Sequence, residues 1–239
     1  MNKKDDKVAQ KRRPGGQPVT SVPPDSVPVG RTPFETPSPI AVSRAAMLVG
    51  ISIVVIGLVS AVVGPEPMAW ERTITSRVGE LPEAIRSAFS AVMIFGTLPA
   101  ALAVSVAAIW FGTREEAFFS AAAALTGYWL MLVAKEAIGR PRPTAADLCC
   151  GLPGADSPGF AFPSGHATLV GVIAVAIWAI WGRRAGIVAL TMAVCVAFGR
   201  VVLGEHWTMD VVTGLALGAT VGLAVFGIAR PLVLRALLR

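Results

Sequence analysis

Six long runs without a single charged side chain dominate this 239-residue chain, at residues 45–63, 88–112, 117–134, 167–182, 185–199 and 211–229. About 20 apolar residues in a helix cross the ~30 Å hydrocarbon core of a bilayer. Four of the runs reach or approach that length. The fourth and fifth are a few residues short, and their ends are completed by His166 and by residues 200–203. Isolated strands cannot satisfy their backbone in lipid, so each run reads as a helix. The expectation is an all-α bundle of six transmembrane helices over residues 45–239. Composition agrees, with 54% hydrophobic and only 15% charged residues, where a soluble domain has about 25% charged.

The charge is concentrated at one end. Residues 1–44 hold 12 of the 36 charged side chains, contribute +4 of the formal +6, and residues 1–40 contain eight of the 18 prolines. Such a segment cannot bury enough surface to offset its ordering entropy, which predicts a disordered basic tail over residues 1–44. The apolar run that follows starts too late and is too long for the core of a signal peptide. The pI near 9.8 thus reflects a tail on a membrane protein. No nucleic-acid partner is expected, since finger spacings and aromatic–basic strands are absent. Cys149, Cys150 and Cys195 are too few for a disulfide framework; free thiols or a vicinal pair at 149–150 both remain open.

With the tail in the cytoplasm, inner segments carry 14 of the 21 basic residues and outer segments seven. The positive-inside rule then predicts a multi-pass protein of the cell membrane with a cytoplasmic N-terminus. The six tryptophans fall near expected helix ends, as in an interfacial aromatic belt. Gly214, Gly218 and Gly222 repeat every fourth residue and would let another helix approach the last span. Trp70, Ile74, Val78 and Leu81 share one face of a helix in the first outer loop. That helix either lies in the interface or covers the bundle.

Polar residues gather at one rim. Lys135 ends the third span and Arg142 follows it; Pro163-Ser164-Gly165-His166 opens the fourth; Arg200 ends the fifth; His206 and Asp210 open the sixth. Helix parity puts all of them on one membrane side, with both of the chain's histidines among them. Three cations beside the orphan N–H groups of a helix start make an anion site. Gly165 admits close backbone approach, and an Arg fork matches phosphate oxygens. His206 and Asp210, four residues apart, lie on one helical face. An Asp bonded to one ring nitrogen leaves the other free to attack, and His166 on another helix is then available as the acid.

Lys135-x6-Arg142-Pro143, Pro163-Ser-Gly-His166 and Arg200-x5-His206-x3-Asp210 resemble the three signature motifs of the type 2 phosphatidic acid phosphatase (PAP2) superfamily, across residues 45–230. The resemblance implies an integral membrane phosphatase of lipid-linked phosphomonoesters or diphosphates, with polyprenyl diphosphate, phosphatidate and phosphatidylglycerol phosphate all fitting. It implies His206 as the nucleophile of a phosphohistidine, Asp210 as its partner and His166 as general acid. Lys135, Arg142, Ser164, Gly165 and Arg200 would cradle the phosphoryl group, with no metal and no cofactor. The active site would lie on the extracytoplasmic face. Membrane lipids and a lipid phosphate are the expected partners. Gly199 stands where the family has Ser, which removes one hydroxyl donor. A non-catalytic lipid-phosphate binder or transporter of the same fold is the alternative. Vanadate-dependent peroxidases share such a cradle but are soluble, so six spans count against that chemistry.

Overall fold

The computed structural model describes residues 38–143 and 159–237, and in these it is helical throughout apart from turns. Helix α1 (Pro39–Val62) starts six residues earlier than expected. Its start is set locally: Ser38 Oγ accepts the Ala41 N–H at 3.2 Å, and proline occupies the first helical position, where its missing N–H costs nothing. The expectations for the tail before residue 38 and for Cys149 and Cys150 lie outside the described residues. Helix α2 (Ala69–Gly79) fills the first connecting segment.

The second apolar run is not one straight rod. It divides into α3 (Glu83–Val92), a 3₁₀ turn (Met93–Gly96) and α4 (Leu98–Phe111), bent by 54°. The break falls at Thr97, whose extended backbone and side chain cap α4 just ahead of Pro99. Helix α5 (Arg114–Ile138) opens on a reciprocal cap in which Thr113 Oγ1 accepts the Glu116 N–H at 3.1 Å and Glu116 Oε2 accepts the Thr113 N–H at 3.0 Å. It closes on Gly139 in the left-handed conformation.

The fourth and fifth runs form one broken element, α6 (Gly165–Val202), with non-helical Gly182 inside it at φ 81°, ψ −173°. A straight helix of 38 residues would measure about 57 Å, nearly twice the apolar core of a bilayer. The two limbs instead fold back on each other. Val170 and Ala174 pack with Ala189, Ala193 and Val196, and Ala167 packs with Ala197 and Val201. Helix α7 (Thr208–Ala224) continues through a π turn (Val225–Ala229) into α8 (Arg230–Leu237).

The glycine repeat in α7 is a packing seam against the first limb of α6. A Cβ at Gly214 would lie 2.6 Å from the Ser164 carbonyl oxygen, and one at Gly222 would lie 2.7 Å from Val175 Cβ. At Gly218 a Cβ would fall onto the Thr168 carbonyl. Two backbones touch here because no side chain intervenes.

Four helices are long and apolar enough to cross a membrane, or five when the bent pair counts as one span. Their outward faces are apolar: Val54, Leu58, Trp110, Phe111, Val133 and Val188 are each more than half exposed. Apolar surface on that scale is unsuited to water. The molecule is a multi-pass membrane protein, all-helical among the described residues.

Candidate active site

Four segments meet at one rim: the end of α5 with residues 139–143, the start of α6, the end of α6 with its following turn, and the start of α7. They are bound together by backbone. The Ser164 N–H donates to the Asp210 carbonyl at 2.9 Å, the Ala161 N–H to the Arg140 carbonyl at 2.7 Å, and the His206 N–H to the Arg200 carbonyl at 3.3 Å. Residues far apart in sequence thus share one bowl, as the helix parity required.

His206 is buried to 1% exposure, and its two ring nitrogens face different neighbours. Nε2 lies 3.4 Å from an Arg142 amino nitrogen; Nδ1 lies 3.5 Å from Asp210 Oδ2. No hydrogen bond forms at that second distance, and Nδ1 has no bonded partner. Asp210 makes its short bonds elsewhere, accepting from Arg140 at 2.7 Å and from the Trp207 N–H at 2.8 Å. The simple picture of Asp210 bonded directly to His206 is therefore modified: the carboxylate is held first by its other partners and presents one oxygen to the ring.

The three expected cations surround this pair. Arg142 donates to the Gly159 and Glu205 carbonyls at 3.1 and 3.0 Å. Arg200 is ion-paired with Glu205, whose carboxylate also lies 3.7 Å from Arg142. Lys135 reaches across to the carbonyls of Phe160 and Ala161. His166 stands on the first turn of α6, partly exposed, with Gly96 leaving room for its ring: a Cβ there would come within 2.7 Å of His166 Cδ2. Ser164 is fully buried and caps α6, so its hydroxyl serves the helix start. Gly165 beside it faces Met131.

Burial pushes the His206 imidazole well below its ordinary pKa, and the charges of Arg200, Arg142, Lys135 and His166 act in the same direction. Both causes favour the neutral ring. Burial also lowers Arg142, with Glu205 and Asp210 opposing it. At Arg140 burial would depress the guanidinium, but hydrogen bonds and charge from Glu71 and Asp210 outweigh it and raise the pKa.

Four contributors were not picked out by the motif pattern. Arg140 was only one more outer basic residue, yet it is fully buried between Glu71 and Asp210. Glu71 belongs to α2, far back in sequence. Glu205 precedes the nucleophile candidate and gathers two of the arginines. Trp207, expected in an interfacial belt, is buried, donates its indole N–H to the Pro141 carbonyl at 2.9 Å, and lies 6.0 Å from the Arg140 guanidinium. A basic residue between Gly139 and Pro141, and an acid alone on a short amphipathic helix, were the available hints. The missing hydroxyl at Gly199 also has a reason: a Cβ there would meet Met93 Cε at 2.6 Å and Phe89 Cδ1 at 3.0 Å. The position faces α3, and the absence of a side chain lets α3 close on α6.

The described residues thus form a helical membrane bundle with a basic bowl and both histidines at one rim. The family model of the PAP2 superfamily matches residues 116–232, just under half of the chain. The chain is similar to the crystal structure of a transmembrane PAP2-type phosphatidylglycerolphosphate phosphatase from Bacillus subtilis, with a TM-score of 0.63 and 21% identity, covering 74% of this chain and 93% of that one. Decaprenylphosphoryl-5-phosphoribose phosphatase of Mycobacterium tuberculosis is 32% identical over 111 residues, 46% of this chain and 59% of the relative. Lipid A 1-diphosphate synthase of Escherichia coli is 32% identical over 72 residues, 30% of each chain. Undecaprenyl-diphosphatase of Sulfolobus acidocaldarius is 37% identical over 60 residues, 25% of this chain and 29% of the relative. The matched regions span less than two thirds of each of these three relatives.

Proposed function

We propose that the protein is a metal-independent membrane phosphatase that hydrolyses a lipid-linked phosphomonoester or diphosphate through a phosphohistidine. The observation that carries this reading is the placement of His206: one ring nitrogen turned to Arg142 at 3.4 Å, the other to Asp210 at 3.5 Å. The phosphoryl group sits among Lys135, Arg142 and Arg200, with the Gly165 N–H at the start of α6 beside it. Nε2 of His206 attacks phosphorus and the bond to the leaving oxygen breaks. His166 gives that oxygen its proton. Asp210 stabilises the charge on the His206 ring. A water then attacks the phosphohistidine, His166 takes its proton, and inorganic phosphate leaves.

The lipid part of the reading is supported by the relatives, whose names specify lipid-linked phosphates, and by a groove of about 670 Å³ between α4 and both limbs of α6. Its walls include Phe95, Val104, Ile173, Ile177, Trp181 and Met192, all apolar, and its upper end lies one helical turn from His166. With α6 crossing twice and the bent pair once, the bundle has six spans. The basic tail then puts the N-terminus in the cytoplasm and the bowl on the extracytoplasmic face of the cell membrane. Polyprenyl diphosphate, phosphatidate and phosphatidylglycerol phosphate remain the candidate substrates.

Purified full-length protein is expected to release phosphate from one or more of these lipids in the presence of EDTA. His206→Ala should lower the rate by about a thousandfold or more, as loss of a nucleophile does. Undiminished release by that variant contradicts the assignment, and binding of lipid phosphate without release points to the non-catalytic alternative.

A further inference from the structure

We propose that Glu71, on α2, is a positioning residue: through Arg140 it fixes the carboxylate of Asp210 and, with it, the ring of His206. This inference rests on the reading of His206 as nucleophile and goes beyond it, because α2 lies outside the three motifs and outside the matched region.

The connection is continuous and buried. Glu71, Arg140 and Asp210 are fully shielded from solvent, and His206 nearly so. Arg140 donates to Glu71 Oε2 at 2.5 Å and Oε1 at 3.4 Å, and to Asp210 Oδ1 at 2.7 Å. Glu71 does more than hold the guanidinium. Oε1 accepts the Met209 N–H at 3.0 Å, at the first turn of α7, and Oε2 accepts the Met68 N–H at 3.0 Å, at the start of α2. One carboxylate therefore ties two helix starts and the Arg140 fork together. Asp210 is left with a single oxygen directed at the Trp207 N–H and at His206 Nδ1.

Charge gives this arrangement a chemical consequence. Two carboxylates share one guanidinium, so the cluster keeps a net negative charge beside the ring that becomes cationic during transfer. Neutralising Glu71 would leave Arg140 facing Asp210 alone, and the negative field at His206 would weaken. The seat of α2 is polar in the same sense: Trp70 and Ile74 stay exposed, while Glu71, Thr75 and Gly79 face the bundle.

The groups facing His206 are Asp210 from α7, Arg200 and Glu205 from the end of α6 and its turn, Arg142 from the loop after α5, Lys135 from α5, and His166 from the start of α6. All are retained in Glu71→Gln, which removes charge and keeps shape. In purified full-length protein this variant is expected to lower kcat at least tenfold with KM within about twofold. The acid limb of kcat/KM should move to lower pH, because loss of an anion makes the His206 ring harder to protonate. Glu71→Asp keeps the charge and shortens the reach; it should retain the wild-type acid limb while kcat falls. It serves as the test on its own if the Gln variant does not accumulate. Thr75→Val alters the same buried face of α2 without charge and should match wild type. A wild-type kcat and acid limb in Glu71→Gln overturns the proposal, as does an equal loss in Thr75→Val with no shift of the limb. If wild type and His206→Ala release phosphate at equal rates, it is the nucleophile reading that fails.

Discussion

Arg140 and Arg142 are two residues apart and do different work. Arg142 leans over the ring nitrogen that would meet phosphorus, whereas Arg140 is locked behind Asp210. Replacing Arg142 by Lys keeps the charge but loses the fork; since a charged hydrogen bond contributes about 1.5–3 kcal/mol, KM for a lipid phosphate should rise about tenfold or more, read from initial rates. Arg140→Gln should instead damage the fold, because it leaves two buried carboxylates without their counter-ion, a loss of about 3–5 kcal/mol visible as a lower Tm in detergent. His206 gives a third expectation. Its pKa in the folded protein lies well below the ordinary 6.5, so below that pH the unfolded chain binds a proton that the folded chain refuses. Stability contributed by the neutral ring is present above pH 6.5 and is lost as pH falls toward the folded value. Tm should decline with acidification from that point, and His206→Gln should decline less. At this scale the motif residues were legible because their chemistry is tied to their identity. Glu71 and Arg140 were not, because an ion pair 69 residues apart in sequence leaves no periodic trace.

The helices were legible wherever apolar runs end on strong local signals. Thr113 with Glu116 starts α5, Gly139 stops it, and Ser164 starts α6. The breaks were harder. Residues 88–112 look uninterrupted in hydropathy, yet Thr97 and Pro99 split them, since a cap followed by an early proline starts a new helix. At residue 182 the pattern pointed to two spans, and the chain indeed folds back there through a glycine whose backbone angles other residues rarely adopt. Gly182→Ala should therefore cost about 1–3 kcal/mol. Gly218→Ala should be at least as damaging, because its Cβ would lie 2.9 Å from Val172 N and closer still to the Thr168 carbonyl; thermal unfolding in detergent compares the two. Near-wild-type stability in Gly218→Ala would mean that α6 and α7 are not in backbone contact.

For the molecule as a whole, the bowl opens at one rim and the reading of sidedness depends on basic charge. In a background with Cys149, Cys150 and Cys195 changed to Ser, Glu80→Cys beside α2 should react with a membrane-impermeant maleimide in intact cells. Arg184→Cys at the opposite rim should react only after permeabilisation. The reverse pattern inverts the topology without moving the site. That Lys135, Arg142, His166, Arg200, His206 and Asp210 share a single rim was an expectation from counting spans, whereas the buried ion network beneath the bowl depends on how α2 docks. The most direct measurement is a rapid quench of purified protein with a lipid phosphate labelled on its terminal phosphorus. A protein-bound label stable in alkali and lost in acid, present in wild type and absent in His206→Ala, is expected. Turnover in which His206→Ala accumulates the same adduct, or in which the label is stable in acid, contradicts phosphoryl transfer to His206.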